Sequence, residues 1–310
     1  MKPFVKYLLS VALLAALITP SISAIIKLKV CNNGAGAIYP LRWGYSEEND
    51  LVQPYPVPGK PVCVKKDTDL AIYIDWQGGP QCNHWYVAYS ILQSRLTGEI
   101  YWVENSDPHG SHRANEEHSF PAPNVPDFVD WALLDCRVIT CFGVINPILT
   151  QEDEKDVFVV LDAPVAPMNP SWVRFSKYAC TWARYRPDEN GISQWEAITN
   201  NWTDAAQRLT FSLYFQHNQS RLPGGFAYPN NSAAYWVGED VFTFYLGELL
   251  SFWEIGIITS GNCVDVSLTL SLALCSIGVD FGNRQLRGDE RYFSEEELPE
   301  PDIQFVLQGN

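Results

Sequence analysis

The polar stretch over residues 104–126 contains the residue types most suited to a metal or acid–base site. Asp107, His109, His112 and His118 lie within it, and the chain has only five histidines in all. Imidazole and carboxylate groups bind zinc, copper or calcium in different mixtures. The spacing of His109 and His112 would let both rings face one ion in a turn, although it is not the helical His-Glu-x-x-His pattern. The stretch is therefore a candidate site for a divalent metal ion, and a solvated exposed loop is the alternative.

Carboxylates beside aromatic residues suggest a second kind of chemistry. They occur at Asp75–Trp76, at Trp253–Glu254 and around the aromatic segment that Glu99 and Glu104 flank. Glycoside hydrolysis uses two carboxyl groups roughly 5–10 Å apart, while aromatic rings stack on the sugar. With 36 acids in the chain such neighbours also arise by chance, so the sequence identifies no catalytic pair.

Three common catalytic and nucleotide-binding motifs are absent from the sequence. There is no Gly-x-Ser-x-Gly elbow, no P-loop, and no Gly-x-Gly-x-x-Gly after a strand. The sequence therefore predicts neither a serine hydrolase of that type nor nucleotide-dependent chemistry.

The first 24 residues have the pattern of a secretory signal peptide. Lys2 and Lys6 precede an apolar run over residues 7–18, which is too short to span a bilayer comfortably. Pro20 breaks the run, and small residues follow up to Ala24, as signal peptidase requires. We therefore predict a signal peptide over residues 1–24 and a secreted, extracellular protein.

Cysteines and sequons fit an exported chain. An even number of cysteines in a secreted protein predicts up to four disulfides, whose connectivity the sequence does not reveal. The eight are Cys31, Cys63, Cys82, Cys136, Cys141, Cys180, Cys263 and Cys275. Asn201, Asn218 and Asn230 each begin an Asn-x-Ser/Thr sequon and are predicted glycosylation sites.

The charge of the chain limits its partners. The formal net charge is −15, and loss of the two signal-region lysines makes it −17. Nucleic acids need a basic footprint that releases counterions, and anionic lipids attract basic segments. The composition excludes nucleic acid, makes a membrane an unlikely partner, and leaves an extracellular glycan or protein as the expected one.

Alternation of apolar and polar residues predicts a mainly β protein. Residues 26–30 and 70–76 alternate with period two, and residues 264–274 do so without interruption. This last segment predicts a long amphipathic strand, which would cover a core or, alternatively, cross a membrane. Residues 203–215 fit a helix and a strand equally well.

Together these patterns predict a mainly β protein, a disulfide-bonded antiparallel β-sandwich of one unit or of two β-rich subdomains, with few short helices. The predicted division is a signal peptide (1–24), a β-rich N-terminal region (25–163), a Pro-rich crossover (164–171) and a β-rich C-terminal region with an acidic tail (172–310). A single continuous domain over residues 25–310 is the alternative.

Location, cysteines and composition favour an extracellular binding module of lectin-like or adhesion/receptor type, which recognises glycans or proteins. A secreted hydrolase of polysaccharide, using paired carboxylates or the His/Asp loop with a metal, is the alternative. A membrane-active β protein using residues 264–274 is a third. Two acids facing each other across an aromatic-lined groove would favour the hydrolase, and a sandwich without any deep polar cleft would favour binding.

Overall fold

The computed structural model describes strands in the first half of the chain and mostly helices in the second. The described residues are 23–30, 36–39, 61–77, 84–104, 108–109, 117–121, 125–141, 148–165, 170–184, 186–187, 193–194, 199–215, 226–227, 236, 244–257, 259–261 and 263–279.

A large mixed sheet forms the centre of the fold. Its strands are β2 (Ile38–Tyr39), β3 (Val62–Lys65), β5 (His84–Ser94), β6 (Ile100–Glu104), β7 (Pro108–His109), β9 (Asp130–Cys141) and β10 (Ile148–Val160). The order is β2-β3-β10-β9-β5-β6, and β7 also pairs with β5. All neighbours are antiparallel except β3 and β10, which are parallel.

A second, smaller sheet is antiparallel, with the order β1-β4-β8. Its strands are β1 (Ser23–Val30), β4 (Leu70–Gln77) and β8 (Glu117–Pro121). Four strands of two residues each form two further pairs: β11 (Arg186–Pro187) with β12 (Ser193–Gln194), and β13 (Phe226–Ala227) with β14 (Thr259–Ser260).

The described helices are α1 (Pro170–Arg184), α2 (Trp202–Phe215), α3 (Leu246–Glu254) and α4 (Cys263–Ser276). Their lengths are 15, 14, 9 and 14 residues, so the described part of the chain has longer helices than the sequence predicts. The described part of the C-terminal region is mainly helical, and the division of the chain into regions stays a prediction. The fold is mixed and rich in sheet.

Two apolar clusters lie on opposite faces of the large sheet. Val157 and Val159 of β10 pack in one cluster with Leu28 and Ile72 of the small sheet. The intervening residue Phe158 belongs to the other cluster, which it shares with residues of all four helices, such as Phe175, Leu209, Trp253 and Leu274. Because successive strand residues point to opposite faces, the large sheet lies between the small sheet and the helices.

The alternating segment near the C-terminus is a helix, and the prediction of a strand there is wrong. Residues 264–274 lie within α4, whose hydroxyl side chains bond to the carbonyl one turn earlier. Thr269 Oγ1 donates to Asp265 O at 2.8 Å, and Ser276 Oγ donates to Leu272 O at 2.8 Å. Such back-bonding lets small hydroxyl residues lie in a buried helix, so their alternation with leucine does not require a strand.

The ambiguous segment over residues 203–215 is also helical. Asn201 caps α2, because its Oδ1 accepts a hydrogen bond of 3.0 Å from the Asp204 backbone N–H. Leu209 and Leu213 then fall on the buried face of that helix.

At the N-terminus, β1 begins at Ser23, one residue before the predicted end of the signal peptide at Ala24. Residues 1–22 lie outside the described part of the chain. None of the helices in the described ranges is long and apolar enough to cross a membrane.

Candidate functional site

Within the described part of the chain, some of the helix-facing side of the large sheet is not covered by helices. On β10, Phe158 and Val160 are buried under the helical layer, whereas the Glu154 side chain on the same face is 61% exposed. We call this uncovered area the open face. It comprises Tyr89, Ile91, Arg95, Trp131, Asp135, Arg137, Glu152, Glu154 and Asp156.

Strand register brings the polar residues of the open face together. Asp135 of β9 lies opposite Ile91 of β5 on one side and Glu154 of β10 on the other. In the next row, Arg137 lies opposite Tyr89 and Glu152. Cross-strand partners have Cβ atoms about 4.5–5.5 Å apart, so each side chain is within reach of its neighbours.

Arg95 connects the acids of the open face to its tryptophan. Its Nε donates to Asp156 Oδ1 at 3.0 Å, and its Nη2 donates to Glu154 Oε1 at 3.0 Å. The indole N–H of Trp131 donates to the same Asp156 oxygen at 3.0 Å. The guanidinium carbon lies 5.9 Å from the centre of the Trp131 ring. These bonds hold Trp131, which is half-buried, in one orientation.

The pKa of Asp135 is raised above its ordinary value. Burial is the largest cause, and the negative charges of Glu154 and Glu152 add to it. A hydrogen bond from Tyr89 acts in the opposite direction, and the pKa of Tyr89 is itself raised, first by burial and then by the Asp135 charge. The Tyr89 hydroxyl therefore stays protonated and donates to the carboxylate.

The open face can form hydrogen bonds and ring contacts with a flat polar ligand. Carboxylates accept hydrogen bonds from hydroxyl groups, and guanidinium groups donate to oxygen atoms in a fixed fork. Tyr89 and Trp131 add aromatic surface, which combines apolar contact with a polar group at one end. The arrangement therefore suits a ligand with many hydroxyl groups.

A second polar cluster, around Asp130, is buried. Tyr101 donates a hydrogen bond of 2.6 Å to Asp130 Oδ2, and Arg184 Nε lies 3.4 Å from Asp130 Oδ1. The Arg184 guanidinium also lies 4.3 Å from the centre of the Phe128 ring. Because Asp130 and Arg184 are both almost fully inaccessible, the cluster joins the C-terminal end of α1 to the sheet and offers no surface to a ligand.

A third cluster lies on the opposite face of the large sheet. The register places Ser90, Cys136 and Asp153 in one row across β5, β9 and β10. Asp153 Oδ2 and Lys155 Nζ form an ion pair of 2.5 Å, and both side chains are buried. A buried pair of this kind costs desolvation energy, so its role is one of local structure, not of ligand contact.

The predicted metal loop is only partly described. Asp107 and His112 lie outside the described residues. His109 is in β7, which pairs with β5 in the large sheet, whereas His118 is in β8 of the small sheet, opposite Ile74. Among the described residues there is no group of three or more metal-binding side chains. A divalent ion at this loop stays a prediction.

Four of the predicted disulfide cysteines are buried in the structure and form no disulfide there. They are Cys63, Cys136, Cys180 and Cys275. Cys31 and Cys82 lie outside the described residues, and the side chains of Cys141 and Cys263 are also outside them. Asn201 is exposed, while Asn218 and Asn230 lie outside the described part.

The sequence pointed to different acids from those of the open face. Glu254, next to Trp253, is engaged by Arg174 at 2.6 Å, and Trp253 is buried in the helical core. The acidic run over residues 152–156 lies inside β10, which continues through it. Alternation within that run places Glu152, Glu154 and Asp156 on one face, and this was the signal available in the sequence.

Comparisons with known proteins do not assign the chain to a family. No protein-family model matches the chain, and no curated protein is similar to it. Among solved structures, a family 123 glycoside hydrolase from Clostridium perfringens, described in connection with glycolipid glycan hydrolysis, aligns with 47% of this chain at 9% identity and a TM-score of 0.24. The alignment covers 32% of the hydrolase chain, so this chain spans about a third of its length.

Proposed function

We propose that this protein is a secreted, extracellular binding protein that recognises glycans through the open face. The observation that carries the proposal is the uncovered sheet face on which Tyr89 and Trp131 lie beside carboxylates and guanidinium groups. Arg95 orients Trp131 and Asp156, and Tyr89 orients Asp135. Residues fixed by such bonds lose little conformational entropy when a ligand binds.

A glycan fits this face better than a protein partner does. The buried centre of a protein–protein interface is usually depleted of charged residues. Here the centre is the Asp135–Glu154 pair, and its neighbours Arg137, Glu152 and Asp156 are charged as well. Hydroxyl groups of a sugar can satisfy these charges, whereas apolar interface residues would leave them buried without partners.

Export and crosslinking belong to the same proposal. The signal-peptide pattern and the exposed sequon at Asn201 support a secreted glycoprotein. The apolar cluster shared by the two sheets supports a β-sandwich within the mixed fold. Any disulfides then lie among Cys31, Cys82, Cys141 and Cys263.

A polysaccharide hydrolase is the second candidate, and one observation favours it. Asp135 lies directly opposite Glu154, and its raised pKa is a property of general acids in glycosidases. Against it, Glu154 is largely exposed, whereas acid–base catalysis on sugars usually takes place in an enclosed cleft.

The test is a glycan-array and polysaccharide-hydrolysis screen on the secreted protein, with and without a chelator. We expect binding to a defined set of glycans, no release of sugar, and no effect of the chelator. Glu154→Gln should weaken binding, while Glu99→Gln, a substitution at an exposed acid outside the open face, should not. Sugar release that Asp135→Asn abolishes would establish the hydrolase instead. Absence of both binding and turnover would remove both candidates.

A further inference from the structure

An exposed apolar patch lies along α3 and the turn that follows it, and none of its residues belongs to the open face. It consists of Tyr245, Phe252, Ile255 and Ile257, and we call it the α3 patch. Tyr245, Phe252 and Ile255 are spaced by seven and three residues, which places them on one side of the helix. The opposite side of α3 is buried through Leu246, Leu249, Leu250 and Trp253.

The turn after α3 presents the two isoleucines. Gly256 adopts a φ of 77°, and its N–H donates to Trp253 O at 3.0 Å. The N–H of Ile257 donates to Phe252 O at 3.0 Å, which completes a Schellman motif. In this motif the residue after the glycine usually makes an apolar contact with the residue five positions before it, here Phe252.

The same motif ends α4, and there the apolar pair is much less exposed than in α3. There the N–H of Gly278 donates to Cys275 O, and the N–H of Val279 donates to Leu274 O. The corresponding apolar pair is covered in α4, where Leu274 is 1% and Val279 is 8% exposed. In α3 the pair is open, with Phe252 at 41% and Ile257 at 46%. Trp236 packs edge-on against Phe252, with the ring centres 5.7 Å apart, yet the pair stays far more exposed than its counterpart in α4.

Described residues of both charge signs border the α3 patch. Arg174 and Lys177 of α1 both contact Glu254, at 2.6 Å and 3.4 Å. Glu248 is exposed one turn before Phe252 on the same helix. Among the described residues, two cations and two acids thus border an apolar centre on a chain whose net charge is strongly negative.

This balance decides between the candidate occupants of the patch. An anionic membrane would repel the chain as a whole, and the charge of Glu248 would oppose insertion of the α3 patch into the lipid. Two copies of the chain repel each other least where the local charge is zero. Because the border of the patch has both cations and acids, the cations of one copy can pair with the acids of the other. A two-fold interface requires such a self-complementary surface.

We infer that the α3 patch is a homodimer interface, in which Phe252, Ile255 and Ile257 of one copy pack against the same residues of a second copy. The dimer would carry two open faces. Two linked binding sites raise the apparent affinity for a multivalent ligand such as a polysaccharide without any new contact. The inference does not depend on the function proposed for the open face, because it concerns a different surface.

The test is sedimentation equilibrium of the full secreted chain over a dilution series, at low and high salt. We expect a reversible monomer–dimer equilibrium that salt strengthens, because screening reduces repulsion between two acidic copies. Ile255→Asp and Ile255→Lys should each raise the dimer dissociation constant by at least about tenfold, since both place a charge in the apolar centre.

Ile100→Asp is the matched control, because Ile100 is 57% exposed on β6, against 71% for Ile255. It adds the same charge outside the patch and should leave the equilibrium unchanged. A wild-type chain that stays monomeric at every concentration would overturn the inference, as would a dimer that both Ile255 variants retain. Flotation of a monomeric wild-type chain with phosphatidylcholine vesicles, abolished by Ile255→Asp, would assign the patch to lipid and also overturn it.

Discussion

At the scale of single residues, the buried Asp130–Arg184 pair shows how this molecule holds charges inside. Asp130 accepts a hydrogen bond from Tyr101, and Ser94 also contacts it. Burial nevertheless raises the pKa of Asp130, although Tyr101, Arg184 and Ser94 all act to lower it. The pair therefore depends on both partners being present, because either charge alone would be buried without compensation.

Removal of Arg184 should destabilise the fold strongly. We expect Arg184→Met to lower the free energy of unfolding by about 3–5 kcal/mol, since it leaves a buried carboxylate without its counter-charge. Chemical denaturation monitored by tryptophan fluorescence measures this loss. Arg174→Met, which removes a partly exposed ion pair with Glu254, should cost no more than about 1 kcal/mol. Equal losses in the two variants would contradict this account of the Asp130 cluster.

The loss caused by Arg184→Met should also depend on pH. The pKa of Asp130 is higher in the folded protein than in the unfolded chain. The protonated carboxyl therefore favours folding at low pH, and this contribution to stability is lost as the pH rises through the raised pKa. Without Arg184 that pKa rises further. The difference in unfolding free energy between wild type and variant should therefore be small in acid and should grow towards neutral pH. A difference that stays constant across this range would show that Asp130 is not the titrating group.

At the scale of secondary-structure elements, sequence patterns predicted the strands better than the helices. Residues 26–30 and 70–76 alternate and do form β1 and β4, because each strand has one face on a core. Alternation failed for α4, where Ser and Thr hydroxyls bond within the helix and most positions are buried. The open face was hidden for a different reason: its residues come from three strands, and only the register places Asp135 beside Glu154.

The glycine at the end of α4 has a packing role that the one at the end of α3 lacks. Gly278 and Gly256 have similar φ values of 83° and 77°. A Cβ at position 278 would collide with the backbone of Asp162, whereas one at position 256 would meet nothing within 4 Å. We expect Gly256→Ala to cost about 1 kcal/mol from backbone strain alone, and Gly278→Ala to cost clearly more. Thermal denaturation of both variants checks this, and an equal loss would show that the contact with Asp162 is unimportant.

At the scale of the whole molecule, the structure and the sequence differ over the cysteines. The sequence predicts up to four disulfides among eight cysteines, whereas four of these cysteines are buried in the two cores and form no disulfide in the structure. Burial raises the pKa of Cys136 to about 12 and that of Cys63 also well above its ordinary value. These thiols are therefore unreactive in the folded protein.

Alkylation of the secreted protein distinguishes the two accounts. We expect no modification of Cys63, Cys136, Cys180 or Cys275 in the native state, and modification of all four after unfolding without a reductant. Intact mass should then show at most two disulfides. Protection of these four cysteines after unfolding would instead support the crosslinked framework that the sequence predicts.

The open face is the part of the molecule on which the proposed function depends, and direct titration of a glycan tests it best. Isothermal titration calorimetry of wild type, Tyr89→Ser and Tyr245→Ser with a glycan selected on the array compares two tyrosines that lie on different surfaces. We expect Tyr89→Ser to weaken binding by at least about tenfold, because it removes ring contact and the hydrogen bond to Asp135. Tyr245→Ser should bind the single glycan as wild type does. Wild-type affinity in Tyr89→Ser would contradict the assignment of the open face as the binding site.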